Sequence, residues 1–222
     1  MKHSVMKRLA LVVCGAATVL GTLSACVPLV LGGAAAGTAL VVTDRRTSGA
    51  QLEDEGIELR AASRIRSNVG TRVRVSVTSY NRQVLLTGEV ANAQDQQLVE
   101  KVVAGVENVA SVVNELAILS SPSLVERSSD LLITGRVKAM ILAARDLQLN
   151  AFKVVTERGT TYLMGRVTQR EADRATEIAR ATPSVQKVVR IFEVITEDEL
   201  RRLQPAGAQK TAPAPRPLNT PS

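Results

Sequence analysis

The sequence lacks the residues from which most active sites are built. Its only histidine is His3, and its two cysteines are Cys14 and Cys26, so all three lie near the start of a 222-residue chain. The common nucleophile–base pairs and zinc sites need histidine or a thiolate and cannot form in the remainder. The acidic cluster Glu53-Asp54-Glu55 stands beside arginines, which is typical of solvent-exposed salt bridges, and Ser128-Ser129-Asp130 is typical of a helix cap. We therefore predict that the protein is not an enzyme, with no catalytic residue and no metal site.

Aromatic residues are scarce as well, with no tryptophan, two tyrosines and two phenylalanines. Single-stranded nucleic acids and sugar rings are usually bound by stacking on aromatic side chains, so neither is an expected partner. The formal net charge is +7, and the three positive charges among the first eight residues leave +4 for the rest of the chain. This mild excess favours an anionic surface but is too small to indicate nucleic-acid binding.

The first 26 residues have the layout of a bacterial secretory signal. A positively charged start is followed by the apolar stretch Leu9 to Leu20, which is too short for an ordinary transmembrane helix. The stretch ends in Leu23-Ser24-Ala25-Cys26, which resembles a lipobox, the site where cleavage precedes a lipid-modified cysteine. We predict that residues 1–25 are a signal peptide and that Cys26 carries a covalent lipid, the only cofactor expected. An aspartate directly after the lipidated cysteine would retain a lipoprotein in the inner membrane. Valine stands at this position, Val27, which favours sorting to the outer membrane.

Two further segments flank the predicted folded region. Residues 26–49 begin with the apolar, glycine-interrupted run VPLVLGGAAAGTALVV, which is too short to favour a second membrane span and predicts a lipidated tether. Five of the eight prolines lie between residues 204 and 222, a composition that cannot bury enough apolar surface to fold. We therefore predict a disordered Pro/Ala-rich tail over residues 198–222.

The region between these ends contains an internal repeat. The segment VSVTSYNRQVLLTGEV (75–90) parallels FKVVTERGTTYLMGRV (152–167) at an offset of 77 residues, which aligns Gly88 with Gly165. Further on, VASVVNEL matches VQKVVRIF at an offset of 76, which indicates one deleted residue in a loop of the second copy. The repeat predicts two similar domains, over residues 50–120 and 121–197.

The periodicity within each copy predicts an α+β fold. In the first copy, Ile57, Ala61 and Ile65 recur at helical spacing, whereas Val73, Val75 and Val77 alternate as in a half-buried strand. A turn, a second strand, a second helix and a third strand over residues 112–118 follow. Each domain is therefore predicted to be αββαβ, with helices packed on a small three-stranded mixed sheet. The shared mid-strand glycines, Gly88 and Gly165, are predicted to be structural.

The paired units resemble BON domains, modules of bacterial exported and membrane-attached proteins. The order of lipobox, tether, the segment TDRRTSGAQLEDEGIELR (43–60) and two such units is similar to that of dual BON-domain outer-membrane lipoproteins, over about residues 22 to 197. This resemblance implies a protein that faces the periplasm, supports envelope integrity and is enriched at the division site. It also implies binding of anionic phospholipid, such as phosphatidylglycerol or cardiolipin, through the first helix of the second unit.

The sequence of that helix, LLITGRVKAMILA (131–143), fits such a role. Ile133, Val137 and Ile141 match the core stripe of the first copy, and further apolar residues and only basic charges surround them. A helix that is apolar nearly all round must bury its outer face against something, either a membrane or the neighbouring domain. The resemblance places a leucine, Leu132, where relatives have tryptophan. The lipid-binding residues predicted for the outer face are Leu131, Leu132, Arg136, Val137, Lys138, Ala139 and Leu142.

A second function fits the same helix. A protein-interaction scaffold could dock through it on an envelope complex such as the outer-membrane protein assembly machinery. Lipid binding through Arg136 and Lys138 would weaken with salt, because salt screens exposed charges, whereas apolar docking would not. The sequence thus predicts a non-enzymatic, lipid-anchored envelope protein and leaves its partner open between anionic phospholipid and protein.

Overall fold

A computed structural model of the protein describes residues 44–119 and 124–203. The predicted signal peptide and residues 26–43 of the predicted tether lie outside the described residues, as does the proline-rich part of the tail. Within the described ranges, no helix is both long and apolar enough to cross a bilayer.

The first domain has the predicted order αββαβ with one interruption. Its elements are α1 (Ser48–Val69), β1 (Arg74–Tyr80), β2 (Gln83–Val90), α2 (Ala93–Ala104), β3 (Ser111–Asn114) and β4 (Ala117–Ile118). Strand β2 pairs antiparallel with β1 and parallel with both β3 and β4. The predicted continuous third strand is broken because the side chain of Asn114 accepts from the backbone N–H of Leu116, and Leu116 is buried in the core.

The second domain repeats this arrangement with an unbroken third strand. Its elements are α3 (Leu124–Ala143), a short 3-10 helix (Leu149–Ala151), β5 (Phe152–Glu157), β6 (Thr160–Thr168), α4 (Gln169–Ala181), β7 (Lys187–Ile195) and α5 (Glu197–Leu203). Strand β6 pairs antiparallel with β5 and parallel with β7. Helix α5 corrects the predicted start of the disordered tail, because Leu200 is buried and orders the residues around it.

Each domain closes its own hydrophobic core between one face of its sheet and its two longer helices. The predicted stripe of Ile57, Ala61 and Ile65 lies in the first core, and that of Ile133, Val137 and Ile141 lies in the second, which confirms both helical patterns. Each fully buried Val, Leu or Ile side chain contributes roughly 1.5–3 kcal/mol. The cores therefore account for much of the stability of the two repeated units.

The offset between the two copies changes from 77 to 76 residues earlier in the chain than the sequence predicts. The N-cap side chains are Asn92 for α2 and Thr168 for α4, so the helices align at an offset of 76, although the strands before them align at 77. Thr168 is both the last residue of β6 and the N-cap of α4. The residue missing from the second copy is therefore at the strand–helix junction and not in the later loop.

The two repeated glycines allow close approach of the backbone. A Cβ at Gly88 would lie 2.0 Å from the carbonyl oxygen of Arg74, and one at Gly165 would lie 2.4 Å from that of Ala151. Gly88 also has a φ of +116°, a conformation that side chains disfavour. Both positions therefore require glycine for the strand to pass its neighbour, which is a structural role.

A buried aspartate in the first helix of each domain holds the hairpin turn that follows. Asp54 accepts hydrogen bonds from the hydroxyl of Ser79 at 2.6 Å and from the backbone N–H groups of Asn81 and Arg82 at 2.7 and 2.8 Å. Asp130 accepts from the N–H groups of Arg158 and Gly159 in the second domain. The sequence predicts a solvated salt bridge for Asp54 and a helix cap for Asp130. The structure corrects both, because each carboxylate is turned toward the hairpin.

The domains meet sheet against sheet. The sheet faces that point away from the helices share a buried cluster of Tyr80, Leu85, Tyr162, Met164 and Ile191, here called the seam. Ion pairs border it, including Arg74 with Glu157 and Lys153 with Glu58. Since the sheets form this contact, the outer faces of the helices remain outside it.

Candidate functional site

The outer face of α3 is apolar and exposed. Leu131, Leu132 and Leu142 are 75%, 61% and 68% exposed with both domains present, and Met140 is 48% exposed. The alternative that this face packs on the first domain is therefore wrong, because the two domains contact each other through the seam and not through α3. Single exposed leucines are common on protein surfaces, but several on one helical face mark a surface that binds something apolar.

Two basic side chains, one arginine and one lysine, lie beside these leucines. Arg136 and Lys138 are exposed and, in the part of the chain that the structure describes, make no ion pair or hydrogen bond. The helix has only two acidic residues, Glu126 in its first turn and Asp130, which is buried at the hairpin. The cationic charge beside the leucines is therefore not neutralised within the helix.

The structure separates the seven predicted lipid-binding residues into two groups. Leu131, Leu132, Arg136, Lys138, Ala139 and Leu142 are exposed together on the outer side of α3. Val137 is 0% exposed and belongs to the second core, so its predicted place on the lipid surface is corrected. At 3.6 residues per turn, a residue between two outward-facing cations falls on the opposite, inward side.

The structure adds Val125 and Gly135 to this face. Val125 is exposed seven residues before Leu132, a spacing of about two helical turns that would have revealed it. A Cβ at Gly135 would meet no atom within 4 Å, so the fold itself does not require glycine there. We use the name outer face of α3 for the set Val125, Leu131, Leu132, Gly135, Arg136, Lys138, Ala139, Met140 and Leu142.

Helix α1 provides a contrast in the first domain. Some of its charged residues are ion-paired, with Arg60 bound to Glu53 at 2.5 Å and Glu58 bound to Lys153 of the second domain at 3.0 Å. Hydrogen bonds from Asn108 and Arg60 hold the pKa of Glu53 below its ordinary value. The outer face of α1 therefore combines the Arg60–Glu53 ion pair with two exposed leucines, Leu52 and Leu59.

No arrangement suited to metal binding is found among residues 44–119 and 124–203. Within those ranges, no group of three or more His, Cys, Asp or Glu side chains could hold a metal ion. The acidic residues with lowered pKa are tied to structural partners: burial acts to raise the pKa of Asp54, but its hydrogen bonds from Ser79, Arg82 and Arg46 outweigh this effect. The described carboxylates thus support the fold.

The chain is similar to several known proteins. A family model described as BON domain matches residues 54–120 and 129–196. The outer membrane lipoprotein DolP of Haemophilus influenzae is 34% identical over 78% of this chain and 90% of its own length. The 21 kDa hemolysin of Actinobacillus pleuropneumoniae is 30% identical over 68% of this chain and 79% of its own length.

A distant likeness also exists among solved structures. CdsD, a structural protein of the type III secretion system of Chlamydia trachomatis, aligns over 69% of this chain and 99% of that chain with 12% identity. Its TM-score of 0.25 is too low for a functional conclusion. The two matched segments and the curated relatives agree with the two domains described above.

Proposed function

The chain belongs to the BON-domain family, and from this premise we propose that it is a lipid-anchored protein of the bacterial outer membrane whose second domain binds anionic phospholipid. The lipobox that ends at Cys26 and the similarity to a protein named outer membrane lipoprotein support the anchor and the location. The two domains, over residues 50–120 and 121–197, would face the periplasm. This role requires no catalysis.

The observation that carries the lipid-binding proposal is the outer face of α3. Its leucines would insert between acyl chains, each with roughly 1.5–3 kcal/mol of favourable transfer energy on full burial. Arg136 and Lys138 would remain at headgroup level, where each cation contributes about 1 kcal/mol near an anionic surface. Because insertion supplies the larger share, the helix would hold to any bilayer weakly and to an anionic bilayer more strongly.

The lipid on Cys26 and the outer face of α3 would then have different tasks. The resemblance to a lipobox implies three acyl chains on Cys26, which suffice for stable anchoring, so α3 is not needed to keep the protein on the membrane. Its electrostatic attraction rises with local anionic lipid density, so it would bias the protein toward regions rich in phosphatidylglycerol or cardiolipin. We propose enrichment at the division site and support of envelope integrity as the physiological result.

The experiment that tests this proposal is liposome co-sedimentation of residues 42–222, the compact unit that contains all described residues. Vesicles of zwitterionic lipid would be compared with vesicles that contain phosphatidylglycerol. The variants are Leu132→Glu, the double variant Arg136→Ala/Lys138→Ala and, as a matched control, Leu59→Glu, which places the same charge on a leucine of α1 that is also largely exposed.

We expect binding to anionic vesicles that Leu132→Glu abolishes, the double variant weakens and the control retains. Equal loss in Leu132→Glu and Leu59→Glu would contradict a specific role for α3. If the wild-type unit does not sediment at all, the outer face would instead favour apolar docking on a protein, and partner capture on an outer-membrane assembly complex would be the next experiment.

A further inference from the structure

The segment before α1 contacts both domains through adjacent arginines. Arg45 is 8% exposed, and its two terminal nitrogens donate to both carboxylate oxygens of Glu171 at 2.7 Å each. It also donates to the carbonyl oxygen of Arg166 at 2.9 Å. A residue that precedes the first domain is therefore bound to the start of α4 in the second domain, by the strongest geometry that an arginine and a carboxylate can adopt.

The next arginine binds the first domain. Arg46 donates to Asp54 at 2.8 Å and to Asp44 at 2.9 Å, and its guanidinium lies 4.3 Å from the ring centre of Tyr80. Asp54 is the carboxylate that holds the first hairpin turn, and Tyr80 is part of the seam. Asp44, Arg45 and Arg46, here called the strap, therefore hold a structural residue of each domain from one position beside the seam.

In the first domain, the acid near the start of α2 is bound by an arginine of the same domain, which the second domain lacks. There the acid three residues after the N-cap of α2, Asp95, is bound by Arg72 of the same domain at 3.2 Å. The matching acid of α4 is Glu171, which also accepts from the backbone N–H of Thr168 at 3.0 Å. The residue that corresponds to Arg72 at the strand offset of 77 is Leu149, which packs on the second core and has no charge. The second domain thus takes its cation from the strap.

We propose that the strap fixes the two domains in one arrangement, with Arg45 as the positioning residue that binds the second domain through Glu171. A buried carboxylate without its partner is strongly unfavourable, so the arrangement that buries Glu171 is favoured while Arg45 is in place. Burial acts to raise the pKa of Glu171, but the hydrogen bonds from Arg45 and Thr168 outweigh it and keep the carboxylate charged. The proposal does not depend on lipid binding.

The experiment measures the distance between the domains in solution. Residues 26–222 with Cys26→Ser contain no other cysteine, so spin labels can be placed at Ser63→Cys on α1 and Ala181→Cys at the end of α4, both exposed and outside the seam. We expect one narrow distance distribution, broadened in Arg45→Gln and in Glu171→Gln. The matched control is Arg72→Gln, which removes the corresponding contact inside the first domain and should leave the distribution unchanged.

Hydrogen exchange supplies the second readout and identifies the domain that each arginine holds. Arg45→Gln should speed exchange of the Thr168 and Glu171 amides by at least about tenfold, because local opening becomes easier there, while the Asp95 amide is unaffected. Arg46→Gln should instead speed exchange at Asn81 and Arg82.

An unchanged distance distribution in Arg45→Gln, even with faster exchange at Glu171, would overturn the proposal, because Arg45 would then act only as a local helix contact. Should Arg45→Gln fail to fold, Arg45→Lys keeps the charge but loses the two-pronged contact, and it should show an intermediate broadening. A distribution as narrow as that of the wild type in Arg45→Lys would also reject the strap as a positioning device.

Discussion

Helices α1 and α3 are alike on the side that packs on the core of each domain, and they differ on the outer side. Helix α1 contributes four inward apolar residues to its core and α3 three, and each adds one buried aspartate that binds a hairpin turn. Outside, α1 presents two leucines among charges of both signs, some of them paired as Arg60 is with Glu53. Helix α3 presents more apolar residues beside Arg136 and Lys138, which make no ion pair within the described ranges. A repeated fold therefore leaves its outer helical face free to differ between the copies, and the difference is where a function separate from stability can be sought.

The glycines that both copies share offer the strongest way to break the common scaffold. Gly88→Ala and Gly165→Ala would each place a Cβ against a backbone carbonyl oxygen, at 2.0 and 2.4 Å, and should destabilise the protein by roughly 3–5 kcal/mol. Gly88→Ala should cost more, since its φ of +116° adds backbone strain. Urea denaturation of each variant measures the effect, and losses below about 1 kcal/mol would contradict the close approach.

The hairpin aspartates should be less sensitive, with Asp54 the more important of the two. Asp54→Asn should lower the free energy of unfolding at pH 7 by roughly 2–3 kcal/mol, because charge-assisted hydrogen bonds from Ser79, Arg82 and Arg46 are lost. Asp130→Asn, with fewer such partners, should cost less.

The pH dependence sharpens this prediction. Because the folded-state pKa of Asp54 is lowered, its stabilisation is present above the ordinary pKa and is lost as the pH falls through the lowered value. The gap in unfolding free energy between wild type and Asp54→Asn should therefore narrow as the pH falls below about 4. A gap of constant size down to about pH 2 would show that the charge of Asp54 is not involved.

The unpaired cations of α3 should have a smaller, salt-dependent effect. Arg136→Ala and Lys138→Ala should each weaken binding to anionic vesicles about fivefold at low salt, which corresponds to roughly 1 kcal/mol per charge. Arg66→Ala removes an exposed arginine of α1 that has no ion pair among the described residues; it is the matched control and should bind as wild type does. Vesicle titrations at low and high salt measure this, and weakening that persists at about 1 M salt would argue against an electrostatic role.

The smallest expected effect is at Gly135, where the fold does not require glycine. Gly135→Ala should stabilise the protein by up to about 1 kcal/mol, because alanine favours the helix interior and its Cβ meets nothing within 4 Å. Thermal unfolding checks the direction of the change. A loss of stability would mean that α3 is not a regular, outward-facing helix at this position.

Local patterns in the sequence were sufficient for much of the fold. The repeat, the element order and the inward stripes of Ile57 and Ile133 follow from periodicity, since a buried face imposes its spacing on the sequence. The paired glycines followed because both copies kept them. The exposed part of the α3 site was likewise predictable, since apolar residues exceeded what the core needed.

Other features could not be predicted, because their partners are distant in the sequence or shared between elements. Asp54 and Asp130 were misread, since nothing local indicates that a helical carboxylate binds a turn more than 20 residues away. The seam was missed because the outward residues of a strand look alike whether they meet solvent or a second sheet. Val137 was misassigned because two cations flank it in sequence while the helix turns it inward.

The contact between Arg45 and Glu171 has a consequence for the order of folding. The two residues lie 126 positions apart, and contacts of such long sequence separation form slowly and late. The first domain does not contain Glu171 and can fold before the second, so Arg45 stays hydrated until Glu171 is in place. We expect refolding to show an early phase in which each core forms and a later phase in which this pair closes. The interval between them is the period in which the uncovered sheet faces of the chain are most open to aggregation.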